Sequence, residues 1–230
     1  MGQIRSVAAW LLLVALLVLG MPKLAPAKHA QHFTPPDVLT VSDIPFPATT
    51  VAAGVVTLAI NLDATGQITN VQTLRDIPTV TGQAMLALQN WSYAPASLNG
   101  KHVPSTLIVN IVFDPAFLDS NSIPLAPPMS VQPPDPKAIP YTPPQLFTAT
   151  FPPYPANGNG AGAVILDASI NSKGGITQVT TVRDIPVLTA AATAALQNWS
   201  FSAALYGNTP IASKVVVAMV FRNPATALPD

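Results

Sequence analysis

The stretch "RDIPTVTGQAMLALQNWSY", Arg75–Tyr93, returns as "RDIPVLTAAATAALQNWSF", Arg183–Phe201. Its internal order reads as strand exit, helix and aromatic closure. Pro78 cannot donate to a strand ladder, so a strand ends just before it. Thr79 or Thr81 is placed to cap a helix, and Thr189 is the counterpart of Thr81. From there Val80, Ala84, Leu88 and Trp91 recur at helical spacing, as do Leu188, Ala192, Leu196 and Trp199. One apolar stripe on a short helix results. Trp91 with Tyr93, and Trp199 with Phe201, supply the large apolar groups that close a small core.

Working outward, the duplication extends well beyond this phrase. Displaced by 108 positions, Phe33–Phe113 lies on Tyr141–Phe221 without a gap, and about 33 of the 81 aligned positions are identical. Ahead of the phrase, Val56, Leu58, Ile60 and Leu62 alternate with Thr57, Ala59 and Asn61, which marks a strand. "DATGQ" then breaks the pattern as a hairpin turn in which Gly66 is free to take positive φ; "NSKGG" does the same in the second copy. The odd spacing of Ile68 and Val71 predicts a bulge in the returning strand. After the phrase and a turn at Leu98–Val103 come "TLIVNIVF" (Thr106–Phe113) and "KVVVAMVF" (Lys214–Phe221), apolar on both faces.

The expected fold is therefore α+β: two tandem small domains, each a three-stranded antiparallel sheet with a helix packed on one face. Their bounds are 33–113 and 141–221. Residues 28–32 are read as a short linker, 114–140 as a Pro-rich linker, and 222–230 as a tail. The Pro density of the linker predicts an extended, semi-rigid spacer. The first 27 residues read as an export signal. Arg5 precedes an uncharged run, Val7–Met21, which leads to the A-x-A pattern Ala25–Ala27. The run is shorter than the ~20 residues that span a bilayer, so a cleaved signal peptide is favoured over a short membrane anchor.

Composition excludes several chemistries. There is no Cys and no Glu, which removes thiolate metal sites, disulfides and HExxH metalloproteases. Net charge is zero and only 9% of residues are charged, so nucleic acid is not expected as a partner. His29 and His32 are three apart with nothing to complete a metal site, and His102 faces Pro210 in the second copy. No nucleophile elbow, phosphate loop or carboxylate pair appears. Arg75–Asp76 and Arg183–Asp184 read as local ion pairs or turn formers, and Asp63 and Asp167 as solvent-facing. The "NWS" triplets at Asn90 and Asn198 place the core Trp in the middle of a glycosylation pattern and are read as accidental. No catalytic residue, metal or cofactor is expected.

Each copy resembles the C-terminal domain of TonB-type energy-transducing proteins of the Gram-negative envelope. The resemblance rests on "YP" (Tyr154, Pro155), Gly162, "NSKG" and "NWSF" in the second copy. In the first it rests on Gly54, "LDATG", "NWSY", "APA" (Ala94–Ala96) and "NGKHV". It implies a periplasmic, non-enzymatic protein that binds an envelope protein or outer-membrane receptor peptide by strand addition. The apolar last strands are the elements expected to accept it, through Leu107, Val109, Ile111 and Phe113 and through Val215, Val217, Met219 and Phe221. Such strands cannot stay bare, so the alternative is that the two domains, or two molecules, pair through them. A membrane-anchored transducer for outer-membrane transport is the second functional reading, and self-assembling structural domains the third. The apolar N-terminal run carries no His, and a tether from Met21 to Phe33 reaches only ~37 Å as extended polyproline.

Overall fold

The computed structural model describes residues 32–47, 52–113, 123, 125, 129, 139–156 and 158–223. The N-terminal apolar segment and His29 lie outside them. Residues His32–Asp230 form one compact unit that contains both repeats. In the first repeat the elements are β1 (Phe33–Thr34), β2 (Asp37–Thr40), β3 (Gly54–Leu62), β4 (Ile68–Arg75), α1 (Thr81–Gln89), β5 (Ser92–Ala94), β6 (Ala96–Leu98), β7 (Lys101–Val103) and β8 (Ser105–Phe113). The second repeat follows with β9 (Tyr141–Thr142), β10 (Leu146–Thr148), β11 (Gly162–Ile170), β12 (Ile176–Arg183), α2 (Pro186–Leu196), β13 (Ser200–Phe201), β14 (Ala204–Tyr206), β15 (Thr209–Ile211) and β16 (Ser213–Phe221).

Each repeat supplies three long antiparallel strands and a helix, but the long strands do not form a separate sheet. The strands merge into one six-stranded sheet in the order β12-β11-β16-β8-β3-β4. Its middle is a parallel pairing of β16 with β8, the equivalent last strands. That corrects the expectation of a separate three-stranded sheet per domain. The short strands pair outside this sheet, β2 with β5 and β10 with β13, and they flank it in the same way in both repeats.

The faces explain why the last strands are apolar throughout. Val56, Leu58, Ile60, Leu107, Val109, Ile111 and Phe113 pack with Val80, Ala84 and Leu88 of α1 and with Trp91. The same cluster takes Ala163, Ile165, Val216, Ala218 and Val220 from the second repeat. On the other face, Val164, Leu166, Val215, Val217 and Met219 pack with Leu188, Ala192 and Leu196 of α2 and with Trp199, and take Val55, Ala59, Ile108 and Val112 from the first repeat. Because side chains alternate along a strand, these two clusters lie on opposite faces. Each core is thus completed by the reverse side of the other repeat's strands. A half-turn about an axis along the strands relates the repeats, and the equivalent rings of Phe33 and Tyr141 meet at 4.8 Å.

This geometry dictates the register. Equivalent residues of the two repeats point to opposite faces, whereas neighbours across a sheet must point to the same one. Pairing at the repeat offset of 108 would violate the pleat. The observed partners are Val215 with Ile108 and Val217 with Asn110, one residue away from that offset.

Local features follow the sequence closely. Gly66 and Gly174 take φ of +86° and +84° at the hairpin tips. A Cβ there would stand 2.3 Å from the Tyr93 carbonyl oxygen, or 2.2 Å from that of Phe201, so the tip is seated under the aromatic strand. Asp63 Oδ1 accepts from the Thr65 and Gln67 amides, and Asn171 Oδ1 from those of Lys173 and Gly175. The helix caps differ from expectation. Val80 and Ile185 occupy the N-cap positions without a side-chain cap. Thr81 and Thr189 instead reach back to accept from the Ile77 and Ile185 amides, both at 3.0 Å. In the second repeat Pro186 starts the helix, where a missing N–H costs nothing.

Candidate functional site

The eight residues expected on free edges lie at the centre of the molecule. Leu107, Val109, Ile111 and Phe113 sit on β8, which has β3 on one side and β16 on the other. Val215, Val217, Met219 and Phe221 sit on β16, between β8 and β11. All eight are 3% exposed or less. They are not edge residues. Two strands that are apolar on both faces bury more of that surface against each other than either could bury alone. The pairing of the two repeats, the other possibility read from the sequence, is the observed one.

The sheet ends instead in β4 and β12. Both carry bulges at equivalent places. Thr69 and Leu74 are the extra residues of β4, and Thr177 and Val182 those of β12. Bulges twist an edge away and interrupt pairing. Between them remain two regular windows, Asn70–Thr73 paired with Leu58–Asn61, and Gln178–Thr181 paired with Leu166–Ser169. The bulge anticipated between Ile68 and Val71 is the one at Thr69. Neither window carries a charge, and each presents one valine toward a helix, Val71 beside the α1 core and Val179 beside the α2 core. Along β4 runs an open groove of about 630 Å³, with Ile68, Val71, Met85 and Trp91 among its apolar lining and Gln67 and Gln89 among its polar lining; no charged side chain lines it.

A doubled hairpin, helix and W-x-aromatic strand, ending in a central apolar strand, is the arrangement that has to be placed. The family model for the Gram-negative bacterial TonB protein C-terminal matches residues 50–115 and again residues 148–222, more than half of the chain. The chain belongs to this family. No curated protein and no solved structure matches it. The family is a non-enzymatic domain of the Gram-negative envelope, concerned with energy transduction and protein interaction. Two tandem copies are present, consistent with the repeat.

Several polar side chains bind the two TonB-type repeats to each other, and the sequence reading missed them. Arg75 is buried and donates from Nη2 to the Leu146 carbonyl of the other repeat at 2.8 Å, and from Nη1 to Thr57 Oγ1 at 3.2 Å. Arg183 pairs with Asp43 of the first repeat, whose Oδ1 also accepts from the Ala163 amide at 3.0 Å. The arginine of "RDIP" is thus an inter-repeat anchor in both copies, not half of a local ion pair. Asp184 serves its own helix by accepting from the Thr189 hydroxyl.

Asp167, read as solvent-facing, is buried on β11. Its Oδ2 accepts from Lys214 Nζ at 2.7 Å, and the same ammonium donates to Asp37 Oδ2 of the first repeat at 2.6 Å. Burial pushes the Asp167 carboxyl up to about 6, although Lys214 pulls the other way. At Asp37 partial burial opposes ionisation, but the hydrogen bond from Lys214 wins and holds the carboxyl below its ordinary value. The counterparts of Asp167 and Lys214 in the first repeat are Ala59 and Thr106, and that of Asp37 in the second is Gln145. Asp63, by contrast, is a hairpin-turn anchor. Among the described residues no group of three or more potential ligands could hold a metal, and no helix is long and apolar enough to cross a membrane.

Trp91, Tyr93, Trp199 and Phe201 are each about 5% exposed. The indole N–H groups donate to equivalent carbonyls, Trp91 to Ser42 and Trp199 to Thr150, both at 3.2 Å. That bond fastens the segment leading into each hairpin over its own helix.

Proposed function

We propose that this TonB-type envelope protein is non-enzymatic and recognises an extended polypeptide segment by β-strand addition to an outer edge of its six-stranded sheet. The observation that carries the reading is the strand order. With β8 and β16 paired to each other, β4 and β12 are the two sides at which the sheet can grow. The windows between their bulges are regular and uncharged, and a strand laid beside one would gain main-chain hydrogen bonds while its alternate side chains met Val71 or Val179. The polar contacts between the repeats support this assignment: Arg75 to the Leu146 carbonyl, Arg183 to Asp43 and Lys214 to Asp37 serve to hold the two repeats together.

A photo-crosslinking residue placed at Asn70 or at Gln178 of the full chain, exposed to envelope extract, tests the reading. A discrete crosslinked species should appear from at least one of these edges and be absent from a control at exposed Lys101. Equal crosslinking from all three positions, or none from either edge, would overturn it.

A further inference from the structure

We infer that the two outer edges are not equivalent, and that β12, through Gln178–Thr181, is the docking edge for one short, uncharged, extended segment of a partner protein. This rests on the strand-addition reading and names the edge and the ligand chemistry. The edges look alike in sequence, "ITNVQTLR" against "ITQVTTVR". Their surroundings differ. At the first edge the Met129 amide donates to the Leu74 carbonyl of β4 at 3.1 Å. Gln72, inside the β4 window, is also engaged. Ile123, also between the repeats, is buried and its amide donates to the Ala149 carbonyl at 3.1 Å. The chain thus already takes one carbonyl of β4, immediately beyond its window.

At β12 the exposed face carries Gln178 and Thr180, and Val179 faces the α2 core. Across the window the strand pairs inward with β11 in unbroken register, so its inward donors are spent and every second residue directs its N–H and C=O outward. Arg183, the one charge on the strand, is committed to Asp43. A ligand there meets backbone, three neutral polar side chains, Gln178, Thr180 and Thr181, and a valine. A charged residue opposite the window would lose water without gaining a partner. The window also limits the ligand's size. Bulges at Thr177 and Val182 leave four residues, about 13 Å of strand. That contact falls far below the ~1,200 Å² of a stable protein interface, which favours a short linear segment over a symmetric pairing of whole chains.

The test uses the full chain, isotope-labelled for amide NMR, and an acetylated, amidated peptide of alternating Thr and Val, six residues long. Titration should shift the amides of Gln178–Thr181 and leave Asn70–Thr73 unmoved. A second peptide with Asp at each Val should produce no shift. Of Val179 and Thr180, one directs its N–H outward, so both proline variants are made. Prolines are tolerated at edges, and the variant that keeps the wild-type melting transition should lose the response. Shifts at Asn70–Thr73 in place of β12 would overturn the choice of edge while leaving strand addition standing. Silence at both edges would overturn both. A chain mass that doubles with concentration, with the β12 amides shifting in step and no peptide present, would assign the edge to a second copy and overturn the proposal.

Discussion

Replacing Asp167 by Asn should change how stability depends on pH, in a defined window and with a defined sign. The Asp167 carboxyl stands at about 6 against an ordinary value of 3.8, because burial penalises its charge more than Lys214 Nζ at 2.7 Å rewards it. Its Oδ1 is buried with no hydrogen-bond partner. A folded carboxyl with a raised pKa binds its proton more tightly than the unfolded chain does. Its contribution is fully present below about pH 4 and is lost as pH rises through about 6. The shift from 3.8 to about 6 corresponds to about 3 kcal/mol. Asp37 has the opposite sign, since its lowered pKa gives stability that is lost as pH falls below the ordinary carboxylate range. Lys214 is raised from 10.5, so its contribution fades only in alkali. The interval from pH 4 to 6 therefore isolates Asp167 within the cluster. Urea unfolding of wild type and Asp167→Asn at half-unit steps from pH 4 to 7 reads the effect as a difference, so other carboxylates cancel. The variant should gain on the wild type by up to about 3 kcal/mol between the ends of that range. A difference that stays flat across the range would refute the burial argument, and one of reversed slope would show that Lys214 dominates.

Other expectations follow from the packing. Gly174→Ala combines a φ of +84° with a Cβ 2.2 Å from the Phe201 carbonyl oxygen and should cost more than Gly207→Ala, which has φ +57° and open space around it; the difference should be about 2 kcal/mol in chemical denaturation. Trp199→Ala should cost about 3–5 kcal/mol through the lost core volume, whereas Trp199→Phe should cost less, losing the bond to Thr150 and part of the ring. Arg75→Met removes the donor to the Leu146 carbonyl and should lower stability by about 1–3 kcal/mol, read from the urea midpoint. Val109→Pro interrupts a strand paired on both sides and should abolish the folded circular dichroism signal, in contrast to a proline in the β12 window.

What could be read from the amino acids alone was whatever is local. The hairpin glycines, the bulge at Thr69, the apolar stripe through Leu88 or Leu196 and the Trp closure all depend on residues within a few turns of chain. The repeat gave each of them a second, independent reading. The cap was misread because Thr81 and Thr189 serve the start of the helix from inside it, a role that composition does not separate from capping.

Tertiary structure decided the rest. The alternation of apolar residues reports that a strand is buried on both faces, but it carries no information about what buries it. β8 and β16 were legible as strands in need of cover, and only the assembled sheet shows that they cover each other. The same limit hid Arg75, Asp43, Asp167 and Lys214, whose charged or inter-repeat partners lie between 47 and 177 residues away. The proposed docking edge follows from the pairing. Once the last strands are spent at the centre, the ladder groups of the six-stranded sheet still directed outward belong to β4 and β12. The reason is physical. Strand pairing is set by main-chain groups that every residue carries, so sequence specifies a strand's faces, while its neighbours follow from which arrangement of the whole chain leaves the least apolar surface in water.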